Sequence, residues 1–355
     1  MKYILQFGSL AGWPYKIAKE LRNRGVNSKN VVYYNKDVGD LNRDLPFDET
    51  IYSPNDSKLS IFKQIIKFIK RSSDEVDLVH YHGSNIFFRE LHGFYEGKLF
   101  HRKKIPMVIT FGGGDIRHIR FTSSQNPYFY FSSNSFTGIV RDIRTFVRLK
   151  SWSRYLKFAI VDPEFYEYMK PYFEEVFIFR QPIGLDEIEC KVPDINNNLP
   201  TILHIPTEPK VKGTDLIIAA CNRLKNEGYK FEFKLKRKLT QKELYKEIVN
   251  CDIYVDELRC GAHGVTAVEA MCAGKPTLTY IRNDLIAAYP AEMPIINTSP
   301  DSIYDNLKKM ITSPRLRHEV GGESRAYVEK YHDTKVVVDD LLQIYNKLIS
   351  HDKST

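Results

Sequence analysis

Short apolar runs alternate with amphipathic stretches along the whole chain, and this alternation predicts an α/β protein built on parallel sheets. Tyr3 to Phe7, Asn30 to Tyr34, Val76 to Tyr81, Met107 to Phe111, Ala159 to Asp162 and Val176 to Arg180 read as buried strands. Tyr15 to Arg24, stopped by Gly25, then Ile61 to Arg71 and Arg141 to Lys157 read as helices between them. Residues 112 to 140 have no clear period, and Ser123 to Ser135, rich in Ser, Asn and Tyr, reads as a loop. From Gln181 to Pro200 three prolines and an Asn triplet give the composition of a linker. A second α/β run follows, with strands at Thr201 to Ile205, Phe231 to Leu235, Asp252 to Val255 and Thr277 to Ile281 and a helix from Gln241. Asp301 to Thr312, Pro314 to Tyr331 and Lys335 to Ile349 are three closing helices. The pattern divides the chain into 1–185, 186–330 and a terminal segment 331–355, with no internal repeat.

Composition narrows the class. The chain has 355 residues, 43% hydrophobic and 27% charged, enough for two domains with separate cores. No apolar run approaches the roughly 18 residues of a membrane-spanning helix, and the N-terminus reads as a first strand rather than a secretion signal. Five scattered cysteines without a Cys-x-x-Cys pair argue against a disulfide framework or zinc site and fit a reducing cytoplasm. The net charge of +8 is concentrated, since residues 86 to 160 hold thirteen Lys and Arg against four Asp and Glu, interleaved with aromatics. Such a surface suits anionic lipid headgroups at the inner face of a membrane, or a phosphorylated acceptor. Nucleic acid is disfavoured, because no nucleic-acid motif accompanies the charge.

The chemistry concentrates after strands, where open α/β sheets bind ligands. In Gly261-Ala-His-Gly-Val-Thr-Ala-Val-Glu269, two glycines precede a helix whose first amides, at Gly264, Val265 and Thr266, favour a diphosphate. Glu269, one turn further on, is placed to accept two ribose hydroxyls. Lys212 follows the strand at 201–205 and offers a cation for phosphate, with Lys210 as substitute. His80 and His82 lie on one side of an extended strand, with His82 nearer its end as a candidate catalytic and acceptor-positioning group. Gly112-Gly-Gly-Asp-Ile-Arg117 offers bare backbone, Asp115 to accept sugar hydroxyls and Arg117 to pair an acceptor phosphate, unless Asp115 and Arg117 pair with each other. Gly8, Ser9 and Gly12 bring the first loop toward the donor. There is no P-loop, His-Glu-x-x-His helix or serine elbow.

The Glu269-Ala-Met-x-x-Gly-x-Pro run resembles the signature of glycosyltransferase family 4, whose Glu-x7-Glu motif places its second glutamate at 269 and its first at 261, where this chain has Gly261. Lys212-Gly resembles the family's diphosphate-binding element, with Thr207 where an arginine is usual. Asp77-x-x-His80-x-His82 and the Gly112 to Arg117 loop also resemble family segments, with Gly112 in place of a histidine. The resemblance implies a GT-B fold, two Rossmann-like domains facing across a cleft, with the last helix packing back on the first domain. It further implies metal-independent, configuration-retaining transfer of a sugar, from a UDP-sugar as the expected donor, to a saccharide or lipid-linked acceptor in surface polysaccharide synthesis. Gly261 and Gly112 bear on that activity, since the family's first glutamate touches the transferred sugar. A nucleotide-sugar 2-epimerase and a degenerate nucleotide- or glycan-binding scaffold are the rival readings.

Overall fold

A computed structural model describes residues 3–34, 43–83, 94–114, 116–131 and 135–354. Its first sheet comprises β1 (Ile4–Phe7), β2 (Ser28–Val32), β3 (Glu49–Thr50), β4 (Leu78–His82), β5 (Met107–Thr110), β6 (Phe158–Val161) and β7 (Glu175–Ile178). These are interleaved with α1 (Trp13–Asn23), α2 (Lys58–Glu75), α3 (Phe94–Arg102), α4 (Ile119–Gln125), α5 (Phe136–Trp152) and α6 (Tyr166–Met169). The second sheet comprises β8 (Thr201–His204), β9 (Glu232–Leu235), β10 (Ile253–Val255), β11 (Thr277–Thr279) and β12 (Ile296–Asn297). Its helices are α7 (Pro209–Lys212), α8 (Thr214–Asn226), α9 (Gln241–Val249), α10 (Val265–Cys272), α11 (Ile303–Thr312) and α12 (Pro314–Tyr331), before the closing α13 (Thr334–Ser354).

Both sheets are parallel throughout, ordered β3-β2-β1-β4-β5-β6-β7 and β12-β11-β10-β8-β9. Their order reverses between β1 and β4 and between β8 and β10, and these switch points set where loops splay apart to admit a ligand. Sequence patterning locates the central strands to within about two residues. It misses α3 and α8 and the two-residue edge strands β3 and β12, which are too short to show a period. The stretch from 112 to 140, where no period is legible, contains α4 and the first turn of α5, and α4 runs into the start of the loop expected at Ser123 to Ser135. Ser135 starts α5 by accepting the Gly138 amide, and His118 accepts the Phe121 amide at the start of α4.

One face of the first sheet is covered by α2, α3 and α5. The other is covered by α1 and by α13, whose Val337, Val338, Leu341, Tyr345 and Leu348 pack against Ile4, Leu78, Val108, Phe158 and Ile160. The last helix therefore returns to the first sheet after the chain has completed the second. Each such aliphatic side chain, fully buried, contributes about 1.5–3 kcal/mol.

A buried polar chain threads the contact. The Gln6 amide donates to the Tyr345 hydroxyl at 3.1 Å, and that hydroxyl lies 2.6 Å from Nδ1 of His80. His80 Nε2 in turn lies 2.7 Å from Thr110 Oγ1, so the ring bridges the two hydroxyls. The remaining Gln6 oxygen accepts from His82 Nε2–H at 2.7 Å. Burial keeps both imidazoles neutral, pulling His82 down to about 3. Replacing Tyr345 by Phe strands the Gln6 amide and His80 Nδ1, and is expected to cost about 1–3 kcal/mol in urea unfolding with little change in m-value.

Candidate functional site

The carboxyl ends of the two sheets face a common cavity of about 220 Å³. The first half contributes Trp13, Gly112 to Gly114, Arg117, Asp162 and Glu164, and the second Lys212, Glu257, Cys260, His263, Gly264 and Val265. Polar ties across the halves fix its width. Asn126 Nδ2 donates to the carbonyls of Arg259 and Cys260, both at 2.9 Å, and Arg180 donates to the Ala288 carbonyl at 3.0 Å.

Lys212 ends α7, where Gly213 turns the chain with φ +72° into α8. Its ammonium lies 2.8 Å from Asp256 and 2.8 Å from Glu257, the two residues after β10. Burial disfavours the ammonium, but the two carboxylates outweigh it and hold Lys212 charged, its pKa well above normal. Glu257 is pushed above the ordinary carboxylate range by burial, which Lys212 opposes and Asp256 reinforces. Asp256 also accepts the Gly264 amide at 2.9 Å. The helix start expected to hold a diphosphate is thus already capped by a carboxylate at Gly264, while Val265 reaches the cavity wall.

Glu269 lies one turn into α10, buried, with the Tyr245 hydroxyl donating to it at 3.3 Å. Burial raises its pKa, and the positive charges of Arg43 and Lys16 pull it back. Lys16 comes from α1 and pairs with Glu187 at 2.7 Å, so Glu269 sits where both halves meet.

Across the cavity, the loop after β5 passes under Leu10. A Cβ on Gly112 would fall 2.4 Å from a Leu10 methyl, so a histidine there requires Leu10 to move. Arg117 is gripped by Glu164 through two parallel bonds of 2.8 Å and lies over the Phe165 ring. Asp115, the alternative partner considered for Arg117, lies outside the described residues. Gly261 has φ +87°, and a Cβ there would lie 2.3 Å from Cγ of Arg282, whose guanidinium is held by Asp284. The space beside the motif's first position is therefore filled by an arginine stem.

Five expected positions, His82, Gly8, Lys210, Thr266 and Glu269, fall outside the cavity lining. His82 has no exposed surface, because its ring is drawn into the sheet's buried polar chain with Nε2 on the Gln6 oxygen, so it does not reach the cavity. Gly8 is buried, with its amide on Val31 and its carbonyl on Asn30, so Leu10 and Trp13 represent the first loop near the cavity. Lys210 is exposed on α7, pointing away while its carbonyl accepts from Arg259. Thr266 is half-buried beside Val265 on α10.

Other cavity residues lack a sequence motif. Asp162 is half-buried, and its desolvation, with help from Glu164, pushes it up to about 7; the Tyr289 hydroxyl donates to it at 3.4 Å. His263 is only 5% exposed, packs its ring against Tyr289, and neither ring nitrogen meets a hydrogen-bond partner among the described residues. Burial lowers it to about 4, which leaves a neutral ring able to donate and accept. Gln181 Oε1 beside it is likewise unpartnered. The one legible signal was position, since Asp162, Asp256 and Glu257 directly follow strands. Among the described residues no cluster of three or more His, Cys, Asp or Glu is arranged to hold a metal, and no helix is long and apolar enough to cross a membrane.

No family model matches the chain, and no curated protein matches it in sequence. Solved structures do match in shape. Sucrose-phosphate synthase from Thermosynechococcus elongatus superposes with a TM-score of 0.66 over 99% of this chain and 100% of its own, at 12% identity. HepE from Anabaena, solved in complex with UDP and glucose, gives 0.64 over 98% of this chain and 100% of its own, at 13% identity. A glycosyltransferase from Rickettsia africae gives 0.63 over 98% of each chain, also at 13% identity. The likeness at these identities is one of architecture, and the fold is GT-B: two α/β units facing across a cleft.

Proposed function

We propose that the protein is a retaining glycosyltransferase, similar to family 4, that moves a sugar from a nucleotide diphosphate donor to a saccharide or lipid-linked saccharide acceptor in surface polysaccharide synthesis. It works in the cytoplasm at the membrane face, and UDP-sugar is the donor to test first, since HepE was solved with UDP and with UDP-glucose. One observation carries the reading: a half-buried Lys212, held charged by Asp256 and Glu257, lines the cavity beside the start of α10 and across from a bare glycine loop, and Glu269 lies one turn further into that helix, behind the lining.

In this reading the donor diphosphate takes Lys212 from Asp256 and Glu257, and Glu269 accepts the ribose hydroxyls. The bond from the sugar to the leaving phosphate breaks as the acceptor oxygen bonds to the same face. The acceptor proton passes to the departing diphosphate, and Lys212 neutralises the charge left there. No metal is invoked. Arg117, held by Glu164, borders the acceptor side with the glycine loop, and the neutral ring of His263 faces the transferred sugar. The degenerate-scaffold reading draws on Gly261, where Arg282 occupies the space that a glutamate needs.

Three outcomes are expected. Titration calorimetry with UDP, GDP and ADP, with and without magnesium, will show one nucleotide bound without metal, and Glu269→Ala will abolish it; binding of none supports the scaffold. Nucleotide affinity of wild type relative to Glu257→Gln will rise as pH falls, because a carboxyl with a raised pKa takes up a proton and stops repelling phosphate; equal pH profiles remove Glu257 from the site. Gly261→Glu will destabilise the protein by roughly 1–3 kcal/mol through its positive φ and the clash with Arg282, rather than raise activity; a stable, more active variant refutes this packing.

A further inference from the structure

Helix α4 is a short strut between the two sides of the cleft. Its start is fixed to the first half, because the buried carboxylate of Asp142 on α5 accepts the amides of Ile119 and Arg120 at 2.6 and 3.0 Å. Just before it the glycine loop folds back on itself, with the Gly113 carbonyl accepting the amides of Ile116 and Arg117 at 3.1 and 3.0 Å. Seven residues, about 10 Å of helix, then carry the chain to Asn126.

Asn126 ends the strut inside the second half. It is 2% exposed; its side-chain oxygen accepts the Tyr128 amide at 3.0 Å, and Nδ2 donates to the carbonyls of Arg259 and Cys260 at 2.9 Å each. Two residues on, the Tyr128 hydroxyl meets Asp301 and its ring stands edge-on to Tyr280, centroids 5.1 Å apart. The two carbonyls belong to the turn between β10 and α10, which also carries Asp256 and Glu257, the partners of Lys212, and the Gly264 amide. Gly261 leaves the room that this clasp occupies. A Cβ there would come 3.1 Å from Asn126 Nδ2, besides its clash with Arg282. The position where the resemblance places a glutamate thus admits a side chain from the opposite half.

We propose that Asn126 is a positioning residue that couples the donor and acceptor sides of the cleft. It ties the turn before α10 to the glycine loop through α4, so the two pass together between a clasped and a released state. A nucleotide that binds the clasped turn more tightly stabilises α4 and the glycine loop across the cleft. By reciprocity, a ligand that orders the glycine loop raises nucleotide affinity. Asn126 touches neither ligand, and its effect passes through the carbonyls it holds. The coupling rests on the proposed function for its ligands, whereas the clasp is present without them.

The test is amide hydrogen exchange of the full chain, read on peptides covering 116–126 and 256–266, for wild type, Asn126→Ala and the milder Tyr128→Phe, each with and without UDP. Without nucleotide, Asn126→Ala is expected to speed exchange about tenfold in both stretches, and Tyr128→Phe about threefold. Protected peptides of β1 and β8 serve as the folding control; if Asn126→Ala fails it, Tyr128→Phe carries the comparison. With UDP, wild type is expected to gain protection in both stretches. Asn126→Ala is expected to gain it at 256–266 alone and to bind UDP about fivefold more weakly. The clasp is refuted if folded Asn126→Ala exchanges like wild type at 256–266. The coupling is refuted if UDP protects 256–266 in wild type and leaves 116–126 unchanged, or if Asn126→Ala still gains protection in both. Failure of UDP, GDP and ADP to bind wild type removes the transferase reading and the coupling with it, while the nucleotide-free comparison still decides the clasp.

Discussion

Everything about the cleft depends on the return of α13 to the first sheet. Ile183 is the pin. Its amide donates to the His332 carbonyl at 2.7 Å, and its carbonyl accepts from Thr334 at 3.0 Å, so the linker and the start of α13 form one short parallel bridge. From that bridge α13 runs under β1, β4, β5 and β6, and Tyr345 completes the polar chain through Gln6 and the two histidines. The chain crosses between the halves twice at nearly the same place. The two sets of strand ends are thereby held facing each other, and the loops they carry share one cavity.

Charge inside that cavity is managed by pairing. Lys212 is shared between Asp256 and Glu257, and Arg117 is held at Nε and Nη2 by Glu164, so each of these half-buried cations has a fixed partner. Leaving such a charge unpaired costs several kcal/mol, and this explains why acidic residues sit at the mouth of a site that attracts anions. An anionic ligand competes with those carboxylates for the same lysine. Affinity then depends on how cheaply Asp256 and Glu257 are released or protonated, as well as on the cations themselves. His263 and the Gln181 side-chain oxygen differ from this set, since both are neutral and buried and, among the described residues, neither the ring nitrogens nor that oxygen has a hydrogen-bond partner; a hydroxyl-bearing ligand or ordered water would satisfy them.

The sequence by itself determined the class of architecture, because parallel strands buried on both faces read as apolar runs and their spacing requires crossover helices. It also located the α10 stretch with Glu269, the Lys212 turn and the glycine loop, because glycine turns after strands leave local marks. Tertiary structure decided the rest. His82 looked like a cleft residue while β4 was considered alone, and the folded chain buries it completely with its Nε2 on the Gln6 oxygen. Gly261 looked like a missing glutamate, until Arg282 was found filling the space beside it. Nothing in the sequence marks Glu164 as a partner for Arg117, and the loop after the next strand brings it there. Local propensity and periodicity are properties of neighbours in sequence. Burial, partners and access belong to neighbours in space, which only the packed chain defines.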